Sequence, residues 1–162
     1  MNDSGPNGMG VVVFTFILAY ILAVMPLPDW FESGRPAWVP LVLLYWVIAI
    51  PHRVGVLVGW ISGLLLDVVN GAALGQNAMA MSIIAYIAYL LHLRIRVFPV
   101  WQQCLSIWML VGIYQLVTLL IQRSVTVMPW TMSYWWASVV SALVWPWMMV
   151  VLRYSRRRYS IN

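Results

Sequence analysis

GVLVGWISGLLLDVVNGAALG, residues 55–75, decides how this chain is read. Within it Gly55, Gly59, Gly63, Asp67, Gly71 and Gly75 recur at a strict spacing of four. Four residues turn an ideal helix by about 400°, so the stripe drifts only about 40° per step and Gly55, Gly59, Gly63 and Asp67 share one broad face. The remaining faces are almost wholly apolar, the reverse of a helix that presents polar residues to water. In lipid no hydrophobic force drives helices together, and small residues at this spacing let a second backbone approach closely. The face is predicted to be a packing seam, against another helix of this chain or of a partner.

Composition supplies the solvent. Of 162 residues 64% are hydrophobic and 8% charged, against about 25% charged in an ordinary soluble domain. So few charges do not cover a surface in water. The nine basic residues are all arginine, and eleven tryptophans and eight tyrosines supply rings suited to a membrane–water boundary. The chain reads as an all-α, multi-pass integral membrane protein. Its +5 net charge is not a nucleic-acid footprint, because the arginines flank apolar runs and form no stripe.

A span needs about 20 residues, with a range of about 17–25. Six candidate spans follow, at 9–26, 36–50, 54–70, 77–93, 99–122 and 134–152, within one polytopic domain over 1–162, closed by a basic tail at 153–162. MNDSGPNGMG, the first ten residues, has no Lys or Arg before the apolar run, so that run is expected to stay as the first span rather than be cleaved as a signal. Asn70-Gly71 is a helix stop, and GAALGQN is expected to make the third and fourth spans shallow or a tight hairpin. With both termini cytoplasmic, the inner side receives Arg53, Arg94, Arg96, Arg153, Arg156, Arg157 and Arg158, and the outer side only Arg35 and Arg123. Asp29 and Glu32 then lie outside. Trp30, Trp38, Trp130, Trp135 and Trp136 form an outer aromatic belt, with Trp46 and Trp101 nearer the inner face. The arginine-rich RYSRRRY (153–159) is expected to hold the C-terminus inside and to grip anionic lipid.

Asp67 falls near the outer end of the glycine seam, the one acid in any candidate span. An ionised Asp inside a membrane costs at least about 2.5 kcal/mol on insertion scales, so it needs partners. Asn70, Gln76, Asn77 and Ser82 are near enough in sequence to donate. The structural reading is that Asp67 ties down the turn between spans three and four; the functional reading is that it recognises a ligand, carries a proton or engages a partner. His52 and His92 belong to the inner boundary and read as polar boundary rings rather than metal ligands, Cys104 as a packing residue, and Pro51-His52-Arg53 as a turn with topogenic charge. Pro146, between Trp145 and Trp147, is expected to kink or loosen the sixth span. There is no HExxH, no GxSxG, no phosphate loop, no cysteine pair and no second intramembrane carboxylate, so no enzyme, metal or cofactor is expected.

The block RPAWVPLVLLYWVIAIPHRVGVLVGWISGLLLDVVNGAALGQNAMAMSIIAY (35–86), with VWQQ (100–103), ASVV (137–140) and WPWMMVVLR (145–153), resembles the MreD family of bacterial rod shape-determining membrane proteins, in its proteobacterial form. The resemblance implies a non-enzymatic scaffold of the elongation machinery in the bacterial inner membrane. Its implied partners are MreC, a single-span periplasmic protein, the actin-like MreB filaments, and the wall synthase RodA with its transpeptidase, besides membrane lipids and a second copy of the chain. Outer loops and span faces would meet MreC, while Arg53, Arg94, Arg96 and the arginine tail would face the filaments. Gly59, Gly63, Asp67, Gly71 and Gly75, with Pro51 and Arg53, carry over as the residues that build and end the third span and fix its inner turn. The family is also distantly similar to the S components of energy-coupling-factor vitamin transporters. That implies a six-helix, S-component-like bundle and opens a second reading as a small-molecule or lipid-precursor binding or transport module.

Overall fold

Proline and glycine cut the chain into six α-helices: α1 (Asn7–Val24), α2 (Trp38–Ala49), α3 (Val56–Asn70), α4 (Gln76–Val97), α5 (Val100–Val125) and α6 (Trp136–Arg158), with a 3-10 turn at Met132–Trp135 leading into the last. The computed structural model describes residues 7–26, 28, 34–125 and 132–158, and no strand occurs among them. Asp29, Trp30, Glu32 and Trp130, expected on the outer side, lie outside the described residues.

The helix ends follow local chemistry. The residue before a proline is pushed out of the helical region. Accordingly α2 stops at Ile50, ahead of Pro51, and α4 stops at Phe98, ahead of Pro99, where the backbone is extended. Pro40 sits in the first turn of α2, where its missing N–H has no intrahelical acceptor in any case. Gly71 closes α3 in the left-handed conformation (φ 61°), and Gly75, also at positive φ (97°), precedes α4. Two left-handed positions four residues apart fold α3 back on α4 as a tight hairpin, the most extensive helix pair among the described residues.

Two helices run further than expected. Arg94 and Arg96 lie in the last turn of α4 rather than in a connection. The segment from Arg153 to Arg158 is not a trailing tail but the final turns of α6. Arginine is a good helix former, and cations at a helix C-terminus are favoured by the macrodipole.

The helix over the expected second span, α2, is the centre of the molecule. Its twelve residues extend about 18 Å, the shortest of the six helices. Every side chain from Val39 to Ile48 is buried, and α2 contacts all five other helices. A helix that is apolar all round belongs inside a protein, and here it is the post around which α1, α3, α4, α5 and α6 stand. Cross-links from its neighbours fix it: Trp46 Nε1 donates to Thr15 Oγ1 of α1 at 2.9 Å, and the Ala37 N–H at its start donates to Ser141 Oγ of α6 at 2.9 Å.

The encircling helices turn their largest apolar side chains outward. On α3 the buried residues are Gly59, Ser62, Gly63, Leu66 and Asp67, while Leu57 and Val68 are 70% and 67% exposed. Small and polar inward, large and apolar outward is the arrangement demanded when the surrounding solvent is lipid. Among the described residues α4, α5 and α6 are long and apolar enough to span a bilayer; α1, α2 and α3 are shorter.

Candidate functional site

The seam on α3 is closed by α4. A Cβ placed on Gly63 would lie 2.4 Å from Ala78 Cα and 2.6 Å from Ala78 N and Asn77 O, so the two backbones touch there. At Gly59 it would lie 3.0 Å from Met81 O and 3.1 Å from Ala85 Cβ. The other glycines do different work. Gly55 starts the helix, with Pro51 O at 4.0 Å the nearest atom to an added Cβ; Gly71 and Gly75 have nothing within 4 Å and serve the turn through their positive φ. The spacing of four therefore joins a two-glycine packing seam to a capped turn. Within the spacing, α4 covers Gly59 and Gly63 and leaves Gly55, Gly71 and Gly75 uncovered.

Asp67, fully buried, ends the seam. Its Oδ1 accepts from the Asn77 backbone N–H and from Asn77 Nδ2, both at 2.9 Å. Its Oδ2 accepts from the Gly75 N–H at 2.9 Å and the Ala78 N–H at 3.4 Å. A carboxylate offers about four acceptor positions, and all four are used. Three of the donors are otherwise unpaired backbone N–H groups at the start of α4, the end of a helix at which negative charge is stabilised. Asp67 is thus the side-chain cap of α4, supplied by α3 from across the hairpin. Of the donors expected from the sequence, Asn77 takes part; Ser82 instead donates to its own helix at Ala78 O, and Asn70 is exposed.

The network continues into α5. Tyr114 Oη donates to Asn77 Oδ1 at 2.5 Å, and Tyr20 Oη of α1 donates to Ser62 O of α3 at 2.5 Å. Beyond Tyr114, Thr118 Oγ1 pairs with Tyr134 Oη at 2.9 Å and Gln115 Nε2 donates to Tyr134 O at 2.9 Å, which ties α5 to the 3-10 turn. One end of the bundle is therefore laced from α3 to the approach to α6 by uncharged groups around one carboxylate.

The sequence profile of the family described as rod shape-determining protein MreD matches residues 6–155. A rod shape-determining protein MreD of Haemophilus influenzae is 33% identical over 151 residues, covering 91% of each chain. The chain belongs to the MreD family. No solved structure matches it.

The MreD-family chain caps α4 at both ends. Gln103 of α5 is buried, and its Nε2 donates to Ile95 O and Phe98 O, both at 3.0 Å, satisfying carbonyls at the C-terminus of α4. This residue was not singled out from the sequence; its signal is a glutamine four residues after the Pro99 that ends α4. Gln103→Ala is expected to cost about 1–2 kcal/mol, since two carbonyls at the end of α4 lose a side-chain donor. A lower thermal midpoint in detergent, with faster amide exchange in the last turn of α4, checks it.

The remaining sequence candidates are placed simply. Pro51 and Arg53 form the α2–α3 turn, with the Arg53 N–H donating to Ile50 O at 3.1 Å. His52 is exposed, and His92 is stacked on Tyr89 with Nδ1 against Tyr89 O, 2.5 Å away. Among the described residues no group of His, Cys, Asp and Glu is placed to hold a metal ion.

Proposed function

We propose that this MreD-family chain is a non-enzymatic membrane scaffold of the bacterial elongation complex in the inner membrane, with both termini cytoplasmic. It links MreC and the MreB filaments to lateral-wall peptidoglycan synthesis by RodA and its transpeptidase. The observation that carries the reading is the family match over residues 6–155. The use made of the polar groups supports it. The one carboxylate described inside the bundle has both oxygens occupied by α4 donors. It has no capacity left for a substrate or a shuttled proton without dismantling the hairpin. Substrate pathways through membranes collect several charged groups, and among the described residues no second carboxylate joins Asp67. The arginine-rich end, with Arg53, Arg94, Arg96 and the last turns of α6, is the cytoplasmic end by charge bias.

Loss of the chain from a rod-shaped host is expected to give round cells, and the chain purified in mild detergent is expected to bring MreC with it in stoichiometric amount. Rods that persist without it, or purification of the folded chain without MreC, would overturn the scaffold reading.

A further inference from the structure

At the end of the bundle opposite Asp67, three arginines converge. Arg96 stands in the last turn of α4, and Arg153 and Arg156 stand three residues apart on α6, on the face that also carries Trp145. They line a cleft of about 60 Å³ whose other polar walls are Tyr45 of the central helix and Gln103 of α5. Among the described residues no carboxylate lines it. Tyr45, Gln103 and Trp145 are buried, so the inner wall is rigid while the guanidinium groups stand at its mouth. The indole Nε1 of Trp145, a residue only 2% exposed, is buried without an acceptor among the described residues. Trp145 packs against Tyr45 with ring centroids 6.4 Å apart.

Like charges gathered from two helices, with no carboxylate beside them among the described residues, repel one another. A single oxyanion relieves that repulsion. Guanidinium forks match phosphate oxygens in pairs. Since about 10–15 Å³ holds one water, the cleft has room for one compact oxyanion. Basic pockets between helices on the cytoplasmic side of a membrane bind phosphate-bearing head groups.

We propose that this cleft is a phosphate site, in which Arg96, Arg153 and Arg156 share the oxygens of a phosphate-bearing group. The chemistry is common to an anionic phospholipid headgroup and to free phosphate. The site lies within the chain and does not depend on the scaffold reading.

The test compares two charge-matched pairs on one helix. The full chain, in vesicles of phosphatidylcholine with phosphatidylglycerol, is released into native mass spectrometry as wild type, Arg153→Gln/Arg156→Gln, Arg157→Gln/Arg158→Gln and Arg96→Gln. In parallel, inorganic phosphate is titrated onto each in neutral detergent. One retained phosphatidylglycerol, lost at least about tenfold in Arg153→Gln/Arg156→Gln and in Arg96→Gln but kept in Arg157→Gln/Arg158→Gln, supports the site with lipid as its source. The same pattern in the phosphate titration alone supports it with free phosphate as its source. Equal losses in the two double variants, or retention of neither ligand by wild type, overturn it.

Discussion

Gly63→Ala is expected to break the α3–α4 hairpin. The added methyl carbon would stand 2.4 Å from Ala78 Cα and 2.6 Å from two further backbone atoms, and backbone of a neighbouring helix does not yield as a side-chain tip does. Overpacking costs about 1–3 kcal/mol when side chains can adjust, so this change is expected at or above the top of that range, and Gly63→Leu is expected to abolish accumulation. Gly59→Ala is milder, because its nearest atoms lie at 3.0 Å and beyond, and Gly55→Ala meets nothing closer than 4.0 Å. Thermal unfolding in detergent of these three alanine variants checks the order. Equal midpoints for Gly63→Ala and Gly55→Ala would deny the contact between α3 and α4.

Asp67→Asn carries the second large effect. The amide keeps one acceptor oxygen and turns an NH₂ group toward donors, where the carboxylate accepts from the Gly75, Asn77 and Ala78 N–H groups and the Asn77 amide. Leaving a buried donor unpaired costs about 1–3 kcal/mol, and at least two are stranded, so a loss of about 2–5 kcal/mol is expected. Amide exchange should rise first at residues 75–78 and then along α4. Asp67→Glu is not a rescue, because the extra methylene displaces the oxygens from a helix start held at close quarters by Gly63.

What the sequence conveyed and what it withheld divide along physical lines. The ends of α2 and α3 were legible because Pro51 and Gly71 act locally. The seam was legible because small residues at a helical period have one meaning in lipid. Gly71 and Gly75 continued the spacing yet left the seam, since a period does not show where the helix stops. The central place of α2 was hidden: an apolar run looks alike whether it faces lipid or protein, and only its twelve-residue length set it apart. The anchoring of Asp67 was foreseen through Asn77, but its principal donors are backbone N–H groups, which no residue type announces. Gln103 and Tyr114 were missed because their partners are distant in sequence or belong to the backbone. Arg96 and Arg153 came together only when α4 and α6 proved longer than their apolar cores.

The account rests on Asp67 as a structural tie in a scaffold rather than as a reacting or ligand-reading group. The most direct measurement is complementation of a rod-shaped bacterium lacking its own copy, by wild type and Asp67→Asn at matched amounts of folded membrane protein, with cell width and co-purified MreC read together. Asp67→Asn, once its lower folded yield is offset by expression, is expected to restore rods and retain MreC. Round cells despite a wild-type level of folded protein would contradict it, because the carboxylate would then act in something other than the cap of α4.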